Sequence, residues 1–227
     1  RHTRTRVPPI PLGLAVDEIT SQYEHRASQV LSTPVVAVDL GQHAGRTTAA
    51  CFWLCLAAGI ATSEWSPSDA STGINVPSAF PELLRKTKEM DVRGLHRAGK
   101  DAIANTALGT FAEALRLFFC DRDNGLMLEP AWIARVYPAF ASLETGSGER
   151  SMKKYRKLIQ NLGTKEFADE LVVTVVASAL AVRVVIFPWT PPKAVQPWVV
   201  SSYPDTSEPL PTIHMGNNDV HYVLLIR

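Results

Sequence analysis

The sequence has no excess of charge of either sign, no long hydrophobic run and little cysteine. Its 227 residues include 23 basic and 22 acidic side chains, for a formal net charge of +1. No strong overall field therefore attracts nucleic acid or an anionic membrane. The apolar run Ala49–Thr62 is shorter than the roughly 20 residues that span a bilayer, and it lies too far along the chain for a signal peptide. We expect a globular protein with neither a nucleic-acid nor a membrane partner.

Three cysteines cannot all pair, and their spacing matches no disulfide framework. We therefore expect free thiols in a reducing compartment. This predicts a cytoplasmic location, or the host cytosol for a viral or effector protein. Cys51 and Cys55 are four residues apart and lack the short CxxC spacing of zinc knuckles. We therefore expect no metal and no cofactor.

The domain organisation is simple. A basic, proline-rich segment, "RHTRTRVPPIPL", forms a predicted flexible tail over residues 1–12, and residues 13–227 form a single domain. The first residue is Arg1 rather than Met, as expected of a piece of a longer protein. We expect a monomer.

Helical patterns dominate the first two-thirds and strand patterns the end of the chain. This segregation predicts an α+β fold, with helices packed on a small C-terminal sheet. The run "TTAACFWLCLAAGI" predicts a helix that is apolar on every face, and hence central and buried. Other predicted helices are Leu14–Leu31, Pro81–Met90, Ala98–Phe119 and the segment "KEFADELVVTVVASALA"; predicted strands are "PVVAVDL", "VRVVIFPW", "QPWVVSSY" and "HYVLLIR", and "MGNND" is taken as turn-rich.

Cys51 is the candidate nucleophile, because it lies where the loop "TTAA" gives way to the predicted helix. The free N–H groups and dipole of a helix N-terminus favour a thiolate. Cys55 lies one turn further on the same side and is expected to be core. His221 opens an apolar strand and is the candidate general base. Against this stands a purely structural interpretation, since most buried cysteines have no chemical role.

Three segments taken in order resemble the ovarian-tumour (OTU) family of cysteine proteases. "ACFWLCLAAG" is similar to the family's nucleophile helix, "GTKEFADELVVTVVASALAVRVVIF" to its helix-then-strand segment, and "NNDVHYVLLI" to its closing strand with the catalytic histidine. The resemblance covers the two ends of Cys51–Ile226 and leaves residues 63–150 unmatched. It implies a papain-like OTU fold with a central helix that carries Cys51.

The sequence departs from the family pattern at two places. The family carries an Asp-Gly-Asn type of motif before the nucleophile, where this chain has Thr48, Ala49 and Ala50, so an oxyanion hole would depend on backbone N–H groups near Ala49 and Ala50. Val223 stands where many members have an orienting Asn or Asp. The alternatives for that third residue are Asp39, at the end of the first strand, and Asn218 or Asp219, just before His221.

The resemblance implies cleavage of isopeptide bonds after the C-terminal glycine of ubiquitin or a ubiquitin-like protein. Ubiquitin's basic tail calls for an acidic or aromatic channel, and the residues that could supply it are Glu166, Phe167, Asp169, Glu170, Trp189 and Tyr222. Two alternatives stay open. One is an inactive OTU-like module that binds ubiquitin, and the other is a cysteine peptidase with a different substrate.

Overall fold

The computed structural model describes residues 16–40, 50–97, 103, 105–129, 157, 159–162, 168, 170–188, 198–200, 209–217 and 221–227. Within them the α-helices are α1 (Val16–Leu31), α2 (Cys51–Thr62), α3 (Phe80–Lys88), α4 (Ala107–Cys120) and α5 (Glu170–Leu180). Single-turn 3-10 helices lie at Pro67–Asp69, Gly94–Arg97 and Leu126–Leu128. The strands are β1 (Val36–Val38), β2 (Arg183–Pro188), β3 (Trp198–Val200), β4 (Thr212–Asn217) and β5 (Tyr222–Ile226).

The five strands form one mixed sheet in the order β1-β5-β4-β2-β3. β2 and β4 are parallel, and the other neighbouring pairs are antiparallel. Four of the strands come from the last quarter of the chain, where three were predicted, while β1 joins the sheet from the N-terminal part. The α+β class is confirmed.

Helices pack on both faces of the sheet. Successive side chains of a strand point to opposite faces. Val184 and Ile186 of β2 belong to the cluster that contains α2, whereas Val185 and Phe187 belong to a second cluster with α1. Every residue of α2 from Cys51 to Ala61 is buried. This confirms the prediction of a central helix that is apolar on all sides.

Side chains of α1 fix the outer edge of β1. The Ala37 amide donates to Glu24 Oε1 at 2.9 Å, and the Val35 amide donates to Ser28 Oγ at 3.0 Å. These two bonds satisfy edge N–H groups that would otherwise be open to another chain. They also hold β1, and the residues that follow it, against the rest of the sheet.

Three sequence-based assignments are corrected. β4 is absent from the predicted strands because His214 and Gly216 interrupt its apolar residues, yet it is a buried inner strand. The helix predicted over Ala98–Phe119 is not continuous, because Thr106 is extended and caps α4 by accepting the Gly109 amide. The helix predicted from Lys165 is described only from Glu170, and Ala168 lies outside it.

Among the described residues, the helices are too short or too polar to cross a membrane.

Helix α2 lies close against the sheet at Gly59. A Cβ atom there would overlap the side chain of Ile213 on β4. Helix propensity alone predicts that Gly59→Ala stabilises the fold by about 1 kcal/mol, whereas overpacking predicts a loss of about 1–3 kcal/mol. We expect the loss to prevail in denaturant unfolding, because Ile213 is only 2% exposed and has little room to move.

The companion variant is Ile213→Ala, which removes the atoms that a Cβ at residue 59 would meet. In that background Gly59→Ala should cost much less or become stabilising. An equal cost in both backgrounds would show that contact with β4 is not the reason for the glycine.

Candidate active site

No side chain caps the N-terminus of α2, where Cys51 lies. Cys51 is the first residue of the helix, and its N-cap Ala50 has a helical backbone (φ −87, ψ −7) with no side-chain cap. The first helical hydrogen bond runs from the Leu54 amide to the Ala50 carbonyl at 3.0 Å. The amides of residues 51–53 therefore have no partner within the helix. Their dipoles favour negative charge on a group placed here.

The sheet brings Asp39 and His221 together from opposite ends of the chain. β1 and β5 are antiparallel with Val38 opposite Leu224. Asp39 directly follows β1 and His221 directly precedes β5, so the antiparallel pairing brings the two residues to the same end of the two strands. β5 begins at Tyr222, so His221 lies immediately before the strand rather than within it, one residue from the predicted start.

His221 and Asp39 form a partly buried hydrogen-bonded pair. His221 Nε2 lies 2.8 Å from Asp39 Oδ1, and the two side chains are 26% and 10% exposed. Cys51 also interacts with the imidazole and is one of the causes that raise the pKa of His221. Cys51, His221 and Asp39 thus have the arrangement that a nucleophile, a general base and an orienting carboxylate would need. Of the three alternatives for the third residue, Asp39 contacts His221, and Asn218 and Asp219 lie outside the described residues.

The charge state of His221 depends on competing effects. Burial acts to lower the pKa of the imidazole, but hydrogen bonds and negative charge from Asp39 and Cys51 outweigh burial and raise that pKa from 6.5 to about 10. The imidazolium form is thus favoured beside the sulfur atom.

The backbone N–H and carbonyl of Tyr222 connect strand β5 to both cysteines of α2. Its N–H donates to Cys51 Sγ at 3.4 Å, and its carbonyl accepts from the Cys55 thiol at 3.5 Å. Cys55 is completely buried, and burial, followed by the nearby Cys51 and Asp39, raises the pKa of its thiol well above 9.0. Cys55 is therefore a neutral core residue, as predicted. Its hydrogen bond to β5 was missed, although the four-residue spacing already places both cysteines on one side of a helix.

Tyr222 lies inside the core. It is 2% exposed, its ring packs 5.2 Å from that of Phe52, and its hydroxyl donates to the Ala168 carbonyl at 3.1 Å. An effect of Tyr222 on substrate would therefore act through the segment around Ala168. The other predicted site residues lie outside the described residues: Ala49, Glu166, Phe167, Asp169, Trp189 and Asp219. Of the predicted oxyanion pair, Ala50 is described, as the N-cap of α2.

A second polar region lies at the opposite end of α2. A depression of about 200 Å³ is lined there by residues that include Gly59, Thr62, His214 and Arg227. Burial, followed by the charge of Arg227, lowers the pKa of His214 to about 4. His214 is therefore neutral at pH 7.

The described residues include no group of three or more His, Cys, Asp or Glu side chains placed to hold a metal ion. All three cysteines are buried free thiols. The chain matches no protein-family model, and no curated protein sequence is significantly similar to it. The geometry of Cys51, His221 and Asp39 is therefore the evidence on which a function can be argued.

The opposite pKa shifts of His221 and His214 can be measured in one titration followed by NMR. We expect His221 to stay protonated through neutral pH and to titrate near pH 10, and His214 to titrate near pH 4. Because its folded-state pKa is raised, His221 contributes stability that is fully present below about pH 6.5 and is lost as the pH rises through about 10.

Asp39→Asn removes the negative charge but keeps the shape of the side chain. It should lower the pKa of His221 and leave the titration of His214 unchanged. A His221 signal that titrates at its ordinary value in the unmodified protein would contradict the described pair.

Proposed function

We propose that this protein is an OTU-type cysteine hydrolase that cleaves the bond after the C-terminal glycine of ubiquitin or a ubiquitin-like protein. The observation that carries the proposal is the convergence of Cys51, His221 and Asp39 at the start of a buried helix. Three residues from distant parts of the chain meet there in the order of contacts that nucleophilic catalysis needs. The packing of α2 against β5 supports the papain-like OTU fold that the sequence resembles.

The first half of the reaction forms a thioester. The Cys51 thiolate attacks the carbonyl carbon of the substrate glycine, and the amides at the start of α2 stabilise the oxyanion. As the tetrahedral intermediate collapses, the C–N bond breaks and His221 gives its proton to the leaving lysine amine. Asp39 holds the ring in place and stabilises its charge.

The second half of the reaction needs His221 to act as a base. Acylation removes the negative charge of Cys51, which is one of the causes that raise the pKa of His221. Burial and Asp39 are then left in competition, so the imidazole gives up its proton more easily. The neutral ring can take a proton from water, whose oxygen attacks the thioester carbon and releases the carboxylate product and the thiol.

The choice of ubiquitin rests on the sequence resemblance, and the hydroxyl of Tyr222 adds a structural reason to examine the segment before α5. That bond holds Ala168 against the ring of Tyr222, the residue that directly follows His221. The acidic and aromatic residues near Ala168 in the sequence are the ones that the resemblance assigns to the channel for the basic tail of ubiquitin.

The test is hydrolysis of a ubiquitin derivative with a fluorogenic amide at its C-terminus. Cys51→Ala should abolish turnover, and His221→Ala should lower kcat/KM by about 10²–10⁴-fold or more, because it removes both proton transfers. Asp39→Asn should lower kcat by up to about 10⁴-fold with a smaller change in KM, because it misorients the base without touching substrate.

The matched control is Glu89→Gln, which neutralises an exposed carboxylate paired with Arg85 and should leave turnover unchanged. Turnover that survives Cys51→Ala would exclude Cys51 as the nucleophile. A folded, unmodified protein that cleaves no ubiquitin or ubiquitin-like derivative would contradict the proposed substrate class.

A further inference from the structure

The sulfur atoms of Cys51 and Cys55 contact opposite polar groups of the same residue. The Tyr222 amide donates to Cys51 Sγ at 3.4 Å, and the Cys55 thiol donates to the Tyr222 carbonyl at 3.5 Å. All three residues are at most 3% exposed. Water is therefore a poor substitute for either bond, and the backbone of Tyr222 is held at two points.

Tyr222 directly follows His221, so the orientation of its backbone determines where the imidazole lies. The Tyr222 side chain is itself fixed by Phe52 and by the Ala168 carbonyl. The ring of His221, by contrast, is held by Asp39 and Cys51. A rotation of the backbone between His221 and Tyr222 would change the contacts of the His221 ring with Asp39 and Cys51, while the Tyr222 ring stays in the core.

We propose that Cys55 is a positioning residue: by donating to the Tyr222 carbonyl, it holds the backbone that places His221 against Cys51. The inference deepens the proposed function and depends on it for the role of Cys51 as nucleophile. Cys55 takes no part in bond making or breaking. Its thiol stays protonated, and the proton is used as a hydrogen-bond donor throughout.

A neutral side chain gives this inference a clear electrostatic test. Burial keeps the Cys55 thiol uncharged, so its replacement by alanine removes no charge from the surroundings of His221. The groups that raise the pKa of His221 are Asp39 and Cys51, and both remain in Cys55→Ala. A change in the titration of His221 would therefore report a change in geometry.

The experiment follows His221 by NMR titration and the Tyr222 amide by hydrogen exchange, without substrate. We expect Cys55→Ala to shift the titration of His221 toward lower pH. Exchange at Tyr222 should become roughly five- to tenfold faster than in the unmodified protein, as expected for the loss of one hydrogen bond of ordinary strength. Exchange at Leu224, in the middle of β5, should change less.

Two further variants separate positioning from simple loss of packing. Cys120→Ala deletes another buried thiol, 2% exposed and at the end of α4, and should leave both the His221 titration and the Tyr222 exchange unchanged. Cys55→Ser keeps a donor at the same place and should recover part of the shift. If Cys55→Ala does not fold, Cys55→Ser is the variant to compare with the unmodified protein.

Unchanged His221 titration and Tyr222 exchange in Cys55→Ala, or equal effects of Cys55→Ala and Cys120→Ala, would overturn the proposal. So would a Cys55→Ser variant no closer to the unmodified protein than Cys55→Ala. These measurements need no ubiquitin, so a failure of the proposed function would be recognised separately, by absent turnover with the positioning effect intact. With turnover present, Cys55→Ala should lower kcat and leave KM nearly unchanged.

Discussion

The backbone of Tyr222 joins helix α2 to strand β5, and the geometry of the candidate site depends on that contact. Cys51 and Cys55 lie one helical turn apart and bond the amide and the carbonyl of this one residue. The same contact brings the start of the helix to the start of the strand. His221 is therefore placed beside Cys51 by the backbone, and Asp39 reaches it through the pairing of β1 with β5.

Competition between burial and local charge decides the protonation state of His221. Burial disfavours an imidazolium at His221, but the Asp39 carboxylate at 2.8 Å and the sulfur of Cys51 favour it more strongly. At His214 no carboxylate is among the causes of the shift, and burial together with Arg227 keeps that ring neutral. Two histidines, one within β4 and one just before the neighbouring β5, thus acquire opposite pKa shifts. The difference between them lies in their partners.

The sequence was informative where local patterns decide the outcome. The uniform hydrophobicity of α2 predicted a central helix, and the break between "TTAA" and the apolar run placed Cys51 at its start. Asp39 was one of three alternatives, because spacing along the chain does not reveal which strands are neighbours. The antiparallel pairing of β1 with β5 supplied that information.

Other features depend on tertiary contacts and could not be predicted in this way. β4 contains His214 and Gly216, which local propensity disfavours in a strand, but Gly216 lies against the ring of Tyr23 where a side chain would not fit. Cys55 looked like core from its position, and its bond to the Tyr222 carbonyl becomes visible only when the strand is present.

The most direct test of the central claim is labelling with a ubiquitin probe that carries a C-terminal electrophile, followed by mass mapping of the modified cysteine. The account predicts one adduct on Cys51, lost in His221→Ala and retained in Cys120→Ala. An adduct on Cys55 or Cys120, or labelling of Cys51 that does not depend on His221, would contradict the assignment of nucleophile and base.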